Sequence, residues 1–425
     1  MNIELCLFCI AMVPLATAGL ALIHQGLGRS RSAAHAMLAT LCALGVSAIV
    51  FVLIGFSWAG FPGGPSETFQ FAGKHWDWLG AEPLFASGVH SSLAGGPYEA
   101  LVLALLLFAV GMAALIPISA GSDRWRLASI CASSALFAGV FFPLFAHWVW
   151  GGGWLAQLTI LFNIPTFVDA GGAGVIQVVG GLAALSVAWI LGPRQGKYSE
   201  GVAAAIPGHN IVLVLFGCLL ALVGWIGLDG AASVLFYGAS SSQVILIAIN
   251  AMLAASGGCL AAVAITQLRY RKPDASLSAN GWVAGLVACS AGSGLYSPVV
   301  TIFIGVVAGA LVAFLVEALE LKLLIDDPGG AISVHLGAGS WGLLAYGLVG
   351  PTTEPRLGLL LAQLIGIATL LGLMLPLIHV GNLLLNKIVR YRVDADGDWQ
   401  GMDIRELGAG AYPEFVVHAD EFVPR

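Results

Sequence analysis

Eleven long apolar runs are the feature of this sequence that most restricts its fold. A helix needs about 20 mostly apolar residues to cross the hydrocarbon core of a bilayer. Because runs of that length recur along the whole chain, we expect an all-α polytopic membrane protein and not the short alternating strands of a β-barrel. The runs lie near residues 5–27, 33–56, 99–121, 126–148, 172–193, 209–229, 242–268, 280–296, 298–318, 331–350 and 357–386.

The composition agrees with lipid as the main solvent. Only 9% of the 425 residues are charged, whereas a soluble domain carries about 25%. The 56 glycines are spread through the apolar runs, where small residues let helix backbones approach closely. The net charge of −6 offers no basic surface for nucleic acid. No nucleophile–base motif, phosphate loop or metal cluster stands out, so we expect no enzyme activity, no cofactor and no metal.

The basic residues predict the orientation of the chain. Lysine and arginine collect in cytoplasmic loops. Of the 17 basic residues, only Lys74 and Arg356 follow even-numbered runs, and the others follow odd-numbered runs or lie in the tail. This alternation predicts eleven transmembrane helices with the N-terminus outside and the C-terminus inside. Residues 1–386 would form a membrane domain in the plasma membrane, and residues 387–425 a cytoplasmic tail.

Two segments of the chain resemble each other. Residues 169–177 open the fifth run and residues 327–335 open the tenth, and both read Asp-x-Gly-Gly-Ala-x-x-x followed by a side chain that forms hydrogen bonds. The segments are five runs apart, and an odd number of crossings reverses orientation. The pattern therefore predicts two inverted five-helix repeats, near 5–193 and 209–350, followed by a final long helix. The interface of such repeats usually carries the substrate site.

The repeat also predicts where its polar side chains lie. Gln177 and His335 each follow an aspartate by eight residues, or roughly 12 Å of helix, while half the hydrocarbon core is about 15 Å. Both side chains should therefore reach the middle of the bilayer, where polar groups are costly and usually line a cavity or meet each other. Asp169 and Asp327 precede helix N-termini, so we favour helix capping over direct cation binding for them.

Seven stretches of the chain match the pattern of one known family. They are Gly19–Leu22, Ala146–Trp154, the Asp169 segment, Pro207–Asn210, Gly224–Gly227, Asp326–Pro328 with Val334–His335, and Gly401–Ile404 with Ala411–Tyr412. On these stretches the chain resembles the ammonium transporter, methylammonium permease and Rh family over essentially its whole length. The resemblance implies a homotrimer with one narrow hydrophobic pore per subunit that carries ammonium or ammonia.

The resemblance also implies roles for individual residues. Trp150 matches the tryptophan of an outer aromatic cage that recruits ammonium by cation–π attraction, and Asp169 matches the aspartate beside it. Two histidines that face each other in the middle of the family's pore match Gln177 and His335. Glutamine does not titrate near neutral pH, so only His335 could change its charge there. We therefore expect altered proton handling.

Other positions depart from the family pattern around the outer gate. The gate phenylalanines fall at Leu228 and near Leu105 and Ala109, with Phe108 close by. The outer hydroxyl falls at Ala232, with Ser233 adjacent, and an asparagine of the family is Asp229. Further candidate pore residues are Trp225 and His24. His24 replaces a tyrosine of the family, and we favour a core or snorkelling role for it over a displaced pore histidine.

Three functions remain open from the sequence. The first is ammonium or ammonia transport, and the second is a transport-inactive ammonium sensor or receptor on the same fold. The third is a channel for another small neutral molecule such as carbon dioxide. For the tail we expect contacts between subunits and a PII-type regulator at the cytoplasmic face. Trp58, Trp76, Trp78 and Trp125 are interpreted as anchors at the membrane interface.

Overall fold

The apolar runs form helices because a helix satisfies its own backbone hydrogen bonds where water is absent. The computed structural model describes residues 2–89, 93, 96–199 and 202–412. Its helices are α1 (Ile3–Leu27), α2 (Ser30–Ala59), α3 (Tyr98–Ala120), α4 (Leu127–Val149), α5 (Leu158–Phe162), α6 (Ala173–Leu191), α7 (Ile211–Tyr237), α8 (Ser241–Tyr270), α9 (Ala275–Cys289), α10 (Pro298–Leu321), α11 (Ile332–Val349), α12 (Arg356–Ile388), α13 (Ala395–Gln400) and α14 (Asp403–Leu407).

Ten of these helices, within the described part of the chain, are long and apolar enough to cross a membrane. The sequence predicted eleven, and the difference lies in the run at 280–296. This run forms the shorter helix α9 of 15 residues, Ala275–Cys289. The helix begins earlier than predicted because the Asp274 side chain accepts a hydrogen bond from the Leu277 amide at 2.8 Å. After Cys289 the chain turns before α10 begins at Pro298.

Helix α7 is longer than the sequence predicted. The apolar run was predicted to end near residue 229, but the helix continues to Tyr237. Asp229 is only 1% exposed and lies inside the protein. The prediction therefore missed the last two turns of α7.

Glycine lets the central helices pack closely, as the composition indicated. Helices α1 and α7 meet where a Cβ on Gly224 would overlap the backbone of Ala16, and where Gly19 faces Gly217. Helices α8, α9 and α10 meet in the same way around Gly258. These contacts determine how the helices cross and therefore where their polar side chains meet.

A β-hairpin that the sequence did not predict covers one end of α4. Strands β1 (Ser66–Phe71) and β2 (Lys74–Gly80) pair antiparallel. Trp78 lies 4.7 Å from the Trp148 ring, and Asp77 accepts a hydrogen bond from His147 at 2.8 Å. The two-residue strands β3 (Tyr198–Ser199) and β4 (Val202–Ala203) also pair antiparallel.

Trp125 does not lie where the sequence placed it. It is 2% exposed and packs 5.6 Å from the Tyr391 ring. The interpretation of this residue as an interface anchor was wrong, because the start of the tail covers it.

The described part of the tail folds back onto the loops of the same chain. Asp403 accepts hydrogen bonds from the amides of Ala34 and His35 at 3.2 and 2.7 Å, at the start of α2. Glu406 accepts one from the Leu127 amide at 2.7 Å. Burial raises the pKa of the Glu406 carboxyl, but hydrogen bonds from His35 and Leu127 outweigh it and hold the pKa at about 2. The tail is thus attached to the ends of α2 and α4.

A buried ion-pair cluster anchors the segment before α11. The Arg194 guanidinium donates to both carboxylate oxygens of Asp326 at 2.9 Å and to Asp123 at 2.9 Å. Burial raises the pKa of Asp326, but Arg124 and Arg194 outweigh it and lower the pKa to about 2. This cluster holds the chain in place one residue before Asp327.

Candidate functional site

Two aspartates cap the helices that carry the central polar side chains. Asp169 accepts hydrogen bonds from the amides of Gly172, Gly174 and Val175 at 3.1, 2.8 and 2.8 Å. Asp327 accepts them from Ala331 and Ile332 at 3.1 and 2.7 Å. Both carboxylates therefore satisfy helix amides that would otherwise be unpaired. This is the capping role that the sequence favoured.

Both capped helices begin with an irregular turn. The first residues of α6, Ala173–Val178, and of α11, Ile332–Ala338, form π-helical turns. Each is preceded by a glycine with positive φ, Gly172 at 94° and Gly330 at 70°, a conformation that glycine adopts at little cost. Short π-helical segments often occur at functional sites. The sequence repeat located these turns but did not reveal their geometry.

Gln177 and His335 meet through one hydrogen bond. His335 Nδ1 lies 2.7 Å from Gln177 Oε1, and the two residues are 1% and 0% exposed. An amide oxygen only accepts hydrogen bonds, so with this amide orientation Nδ1 carries the proton and donates it. The Nε2 atom of a neutral His335 is then left as an acceptor. The repeat correctly predicted that these two side chains approach each other from two different helices.

His24 lies next to this pair. Its ring centroid is 6.5 Å from that of His335, and the two rings are nearly perpendicular at 84°. His24 is 5% exposed, and its Nδ1 atom has no hydrogen-bond partner among the described residues. The sequence favoured a core or snorkelling histidine, whereas the fold puts this ring beside the candidate site. Helix α1 brings it there through its close glycine contacts with α7.

A polar region continues from His24 to a cavity. Gly329 lies close to both Ser119 and His24, because a Cβ on Gly329 would overlap the Ser119 hydroxyl and contact the His24 ring. Within the described chain, the hydroxyls of Ser119 and Ser333 are buried and have no hydrogen-bond partner. Ser333 also lines a cavity of about 740 Å³ together with Asp326 and Asp327. Buried polar atoms of this kind usually bind water.

On the other side of Gln177, the candidate recruitment residues lie close together. Trp150 is 1% exposed and donates a hydrogen bond from Nε1 to the Asp169 carbonyl at 2.8 Å. Its ring stacks on Phe236 with centroids 4.8 Å apart and planes 13° apart. The Asp169 amide donates to the Tyr237 hydroxyl at 2.9 Å. Sequence reasoning missed Phe236 and Tyr237 because it ended α7 too early.

The candidate gate residues are divided by the fold. Leu105, Ala109 and Leu228 are fully buried, whereas Phe108 is 38% exposed on the outside of α3. Ala232 is buried, and the Ser233 hydroxyl lies 3.5 Å from the Ala170 carbonyl oxygen. The structure therefore does not bring Phe108 together with the other three gate candidates.

Trp225 and Asp229 lie beside the segment that follows Asp169. Trp225 Nε1 donates to the Ser290 hydroxyl at 3.0 Å. A Cβ on Gly171 would overlap the Asp229 carboxylate, whose Oδ1 atom has no hydrogen-bond partner in the part of the chain described. Within that same part, no group of three or more His, Cys, Asp or Glu residues could hold a metal ion.

Comparisons with known proteins agree on one family. The sequence profile of the Ammonium Transporter Family matches residues 5–412. Ammonium transporter Amt2 of Archaeoglobus fulgidus is 33% identical over 96% of this chain and 88% of that protein. The ammonium transporter of Bacillus subtilis is 28% identical over 96% and 97%.

Solved structures support the same fold. A protein named Sensor Amt Protein superposes with a TM-score of 0.84 at 26% identity, over 95% of this chain and 97% of that one. Candida albicans Mep2 superposes with a TM-score of 0.79 at 22% identity, over 92% and 86%. The match of the family profile over nearly the whole length decides the assignment. The chain is a member of the ammonium transporter family.

Proposed function

We propose that this protein carries ammonium or ammonia across the plasma membrane through a narrow pore in each subunit of a trimer. The observation that carries the proposal is the hydrogen-bonded pair of Gln177 and His335, buried where two capped helices meet. Because the family consists of transporters, the chain is not an enzyme. The proposal includes an inverted repeat, with α9 as a short eleventh crossing, the N-terminus outside and the tail inside.

The outer end of the proposed pore recruits the cation. The Trp150 and Phe236 rings are aromatic surfaces of the kind that attract a cation by cation–π interaction. The Asp169 carboxylate, held by three amides, places negative charge nearby. Together these groups offset part of the cost of removing water from ammonium.

Beyond that end, a bare cation would have to pass the buried apolar side chains Leu105, Ala109 and Leu228. The cost of a charge in this environment favours separating the proton from ammonia. His335 is the titratable member of the central pair. Gln177 orients its ring by accepting a hydrogen bond from the Nδ1–H group and leaves Nε2 free to bind another proton.

An ammonium-evoked current in proteoliposomes tests this proposal. If ammonia crosses and its proton follows, the parent protein produces a current that His335→Ala lowers by about 100-fold. His379→Ala is the matched control, because that histidine lies beside Trp189 and Ser186, away from the pair. If the parent protein shows no current and no uptake of radiolabelled methylammonium, the proposal of transport is refuted.

A second candidate function is an ammonium sensor that does not transport. The resemblance to Sensor Amt Protein favours it, and so does the replacement of a titratable side chain by Gln177. A sensor would be stabilised against thermal unfolding by ammonium and would produce no current. A transporter produces both effects, so measuring the two on one preparation distinguishes the candidates.

The proposed trimer and regulator can be tested separately. Large apolar side chains such as Phe8, Ile245 and Leu373 are exposed on the outside of the single chain, where lipid or a neighbouring subunit would cover them. We expect the detergent-solubilised protein to have three times the mass of one chain by light scattering. A PII-type regulator would bind the cytoplasmic face that carries the tail, and deletion of residues 394–425 would abolish that binding.

A further inference from the structure

His24 has no role in the transport step described above, yet its surroundings are unusual for a structural histidine. The ring is 5% exposed, and Nδ1 lacks a hydrogen-bond partner in the described chain. Leaving a buried polar atom unpaired is costly, so a histidine with a purely structural role would normally have a partner here. Its Nδ1 atom is therefore open to a hydrogen bond with water.

The geometry connects His24 to His335. The centroids are 6.5 Å apart and the rings are nearly perpendicular, so the two rings are too far apart for a direct hydrogen bond and a proton passes between them only through a bridging water. Gln177 engages the Nδ1 side of His335 at 2.7 Å. The remaining nitrogen of His335, Nε2, is then the atom that can exchange a proton with His24.

The groups around His24 continue the path away from Gln177. Helix α3 contributes the neutral Ser119 hydroxyl, and the segment before α11 contributes Gly329, which has no side chain. The nearby carboxylate of Asp327 accepts backbone hydrogen bonds with both of its oxygens. The titratable ring facing His24 is thus His335, and the cavity of about 740 Å³ begins at Pro328 and Gly330, the chain neighbours of the Gly329 that lies beside His24.

We propose that His24 is the second histidine of the proton route, on the side of His335 opposite Gln177, and that it passes the proton from His335 to water in this cavity. This rests on the proposed transport of ammonium. The pair of titratable rings is then His335 with His24, supplied by α11 and α1. Gln177 acts as the positioning residue that fixes which nitrogen of His335 takes part.

The proton transfer balances without any other reactant. An N–H bond of ammonium breaks, its electron pair stays on ammonia, and the proton binds Nε2 of His335 to form an imidazolium. That proton moves through the bridging water to a ring nitrogen of His24, and His335 returns to its neutral form. His24 releases a proton to water in the cavity and becomes neutral again. Ammonia and one proton therefore arrive on the same side by separate routes.

The test compares His24→Gln with the parent protein in proteoliposomes, with His379→Gln as the matched control. Glutamine keeps a polar side chain of similar length but cannot carry the proton. We expect the ammonium-evoked current of His24→Gln to fall by about 100-fold. The permeability to neutral ammonia, measured by stopped-flow pH change, should stay within twofold of the parent, because the path for the neutral molecule is still present. The control should retain its current.

The outcomes separate the two proposals. If the parent protein produces a current and His24→Gln retains it, the relay is refuted while the proposal of transport stands. A parent with neither current nor uptake refutes both proposals. If His24→Gln loses current and neutral permeability together, the residue supports the shape of the pore instead of carrying the proton, and the relay is refuted. A second variant, His24→Asn, guards against a misfolded His24→Gln, and thermal unfolding of each variant shows whether it is folded.

Discussion

Helices α6 and α11 begin with the same local structure but present different side chains to the candidate site. Each has an aspartate cap, a glycine with positive φ and a π-helical first turn. Eight residues after its aspartate, α6 presents Gln177, whereas α11 presents His335. The two side chains meet in one hydrogen bond of 2.7 Å. The two helices thus begin with the same local geometry, but only α11 presents a titratable side chain at this position.

The anchors of the two helices differ as well. Asp326 ties the start of α11 to Arg194 through a buried ion pair, whereas the start of α6 is held by the Tyr237 hydroxyl and Trp150. A charged anchor next to Asp327 fixes the start of the helix that carries His335, and Asp326 and Asp327 also line the cavity. The neutral, aromatic anchor of α6 suits the end where a cation would first bind. A few side chains therefore give two helices with similar first turns different chemical surroundings.

The largest effect is expected from the charged anchor. Asp326→Asn leaves Arg194 buried without its full partner, and we expect a loss of about 3–5 kcal/mol in the free energy of unfolding at neutral pH. Because the pKa of Asp326 is lowered from 3.8 to about 2, its contribution is complete above about pH 4 and disappears as the pH falls through 2. Thermal unfolding in detergent from pH 7 to pH 2 measures this. A difference between parent and variant that stays constant over this range would contradict the role of the ion pair.

The caps should stabilise the protein in proportion to the number of backbone amides that donate hydrogen bonds to them. Asp169→Ala leaves three buried amides unpaired and Asp327→Ala leaves two, so we expect losses of about 3 and about 2 kcal/mol in the free energy of unfolding. Asp274→Ala removes the cap of α9, which accepts one hydrogen bond from a backbone amide. We expect this change to lower the free energy of unfolding by about 1 kcal/mol. Denaturant titration of the three variants measures the order. Equal losses for all three would show that the caps of α6 and α11 are not special.

Making the two helices chemically alike should change the transport step. Gln177→His adds a second titratable ring on the α6 side, and we expect the ammonium-evoked current to rise by about tenfold. Gln177→Asn, which keeps an amide but shortens the side chain, serves as the control and should lower the current. If Gln177→His leaves the current at the parent level, the glutamine does not limit the passage of the proton.

The smallest effect is expected at the glycines of the two turns. Gly330→Ala places a side chain at a φ of 70°, which costs about 1 kcal/mol. Gly172→Ala should cost more, because its Cβ would lie 3.0 Å from the rigid Trp150 ring, whereas the Cβ of Gly330→Ala would meet only the end of the Asn280 side chain, which can turn away. Gly45→Ala is the control, since no atom lies within 4 Å of its Cβ and alanine favours the helix. Thermal unfolding of the three proteins gives the order, and a smaller loss at Gly172 than at Gly330 would contradict it.

Much of the architecture could be predicted because it depends on local patterns. Ten of the eleven apolar runs correspond to long helices, since the length of a run is set by the thickness of a bilayer. The contact between Gln177 and His335 could also be predicted, because each lies a fixed number of residues after its cap. The ends of α7 and α9 could not, since Asp229 is buried and Asp274 caps its helix, and both depend on tertiary neighbours.

The positions of His24 and Phe236 could not be predicted from the sequence for a related reason. His24 approaches His335 because Gly19, Gly217 and Gly224 determine how α1 crosses α7, and a linear pattern does not contain that crossing angle. Phe236 stacks on Trp150 from the part of α7 beyond Asp229, a part that was assigned to a loop. The β-hairpin could not be predicted for a similar reason. Its tryptophans pack against Trp148 and Trp154, which are distant in sequence.

The protonation of His335 tests most directly whether the two matched helices make one oriented pair. Nitrogen NMR on protein labelled at histidine in lipid bilayers reports which ring nitrogen carries the proton, and His335→Gln identifies the signal. We predict that neutral His335 carries its proton on Nδ1 and donates it to Gln177, and that Gln177→Leu shifts the proton toward Nε2. A proton on Nε2 in the parent, or a signal that Gln177→Leu leaves unchanged, would contradict the central pair.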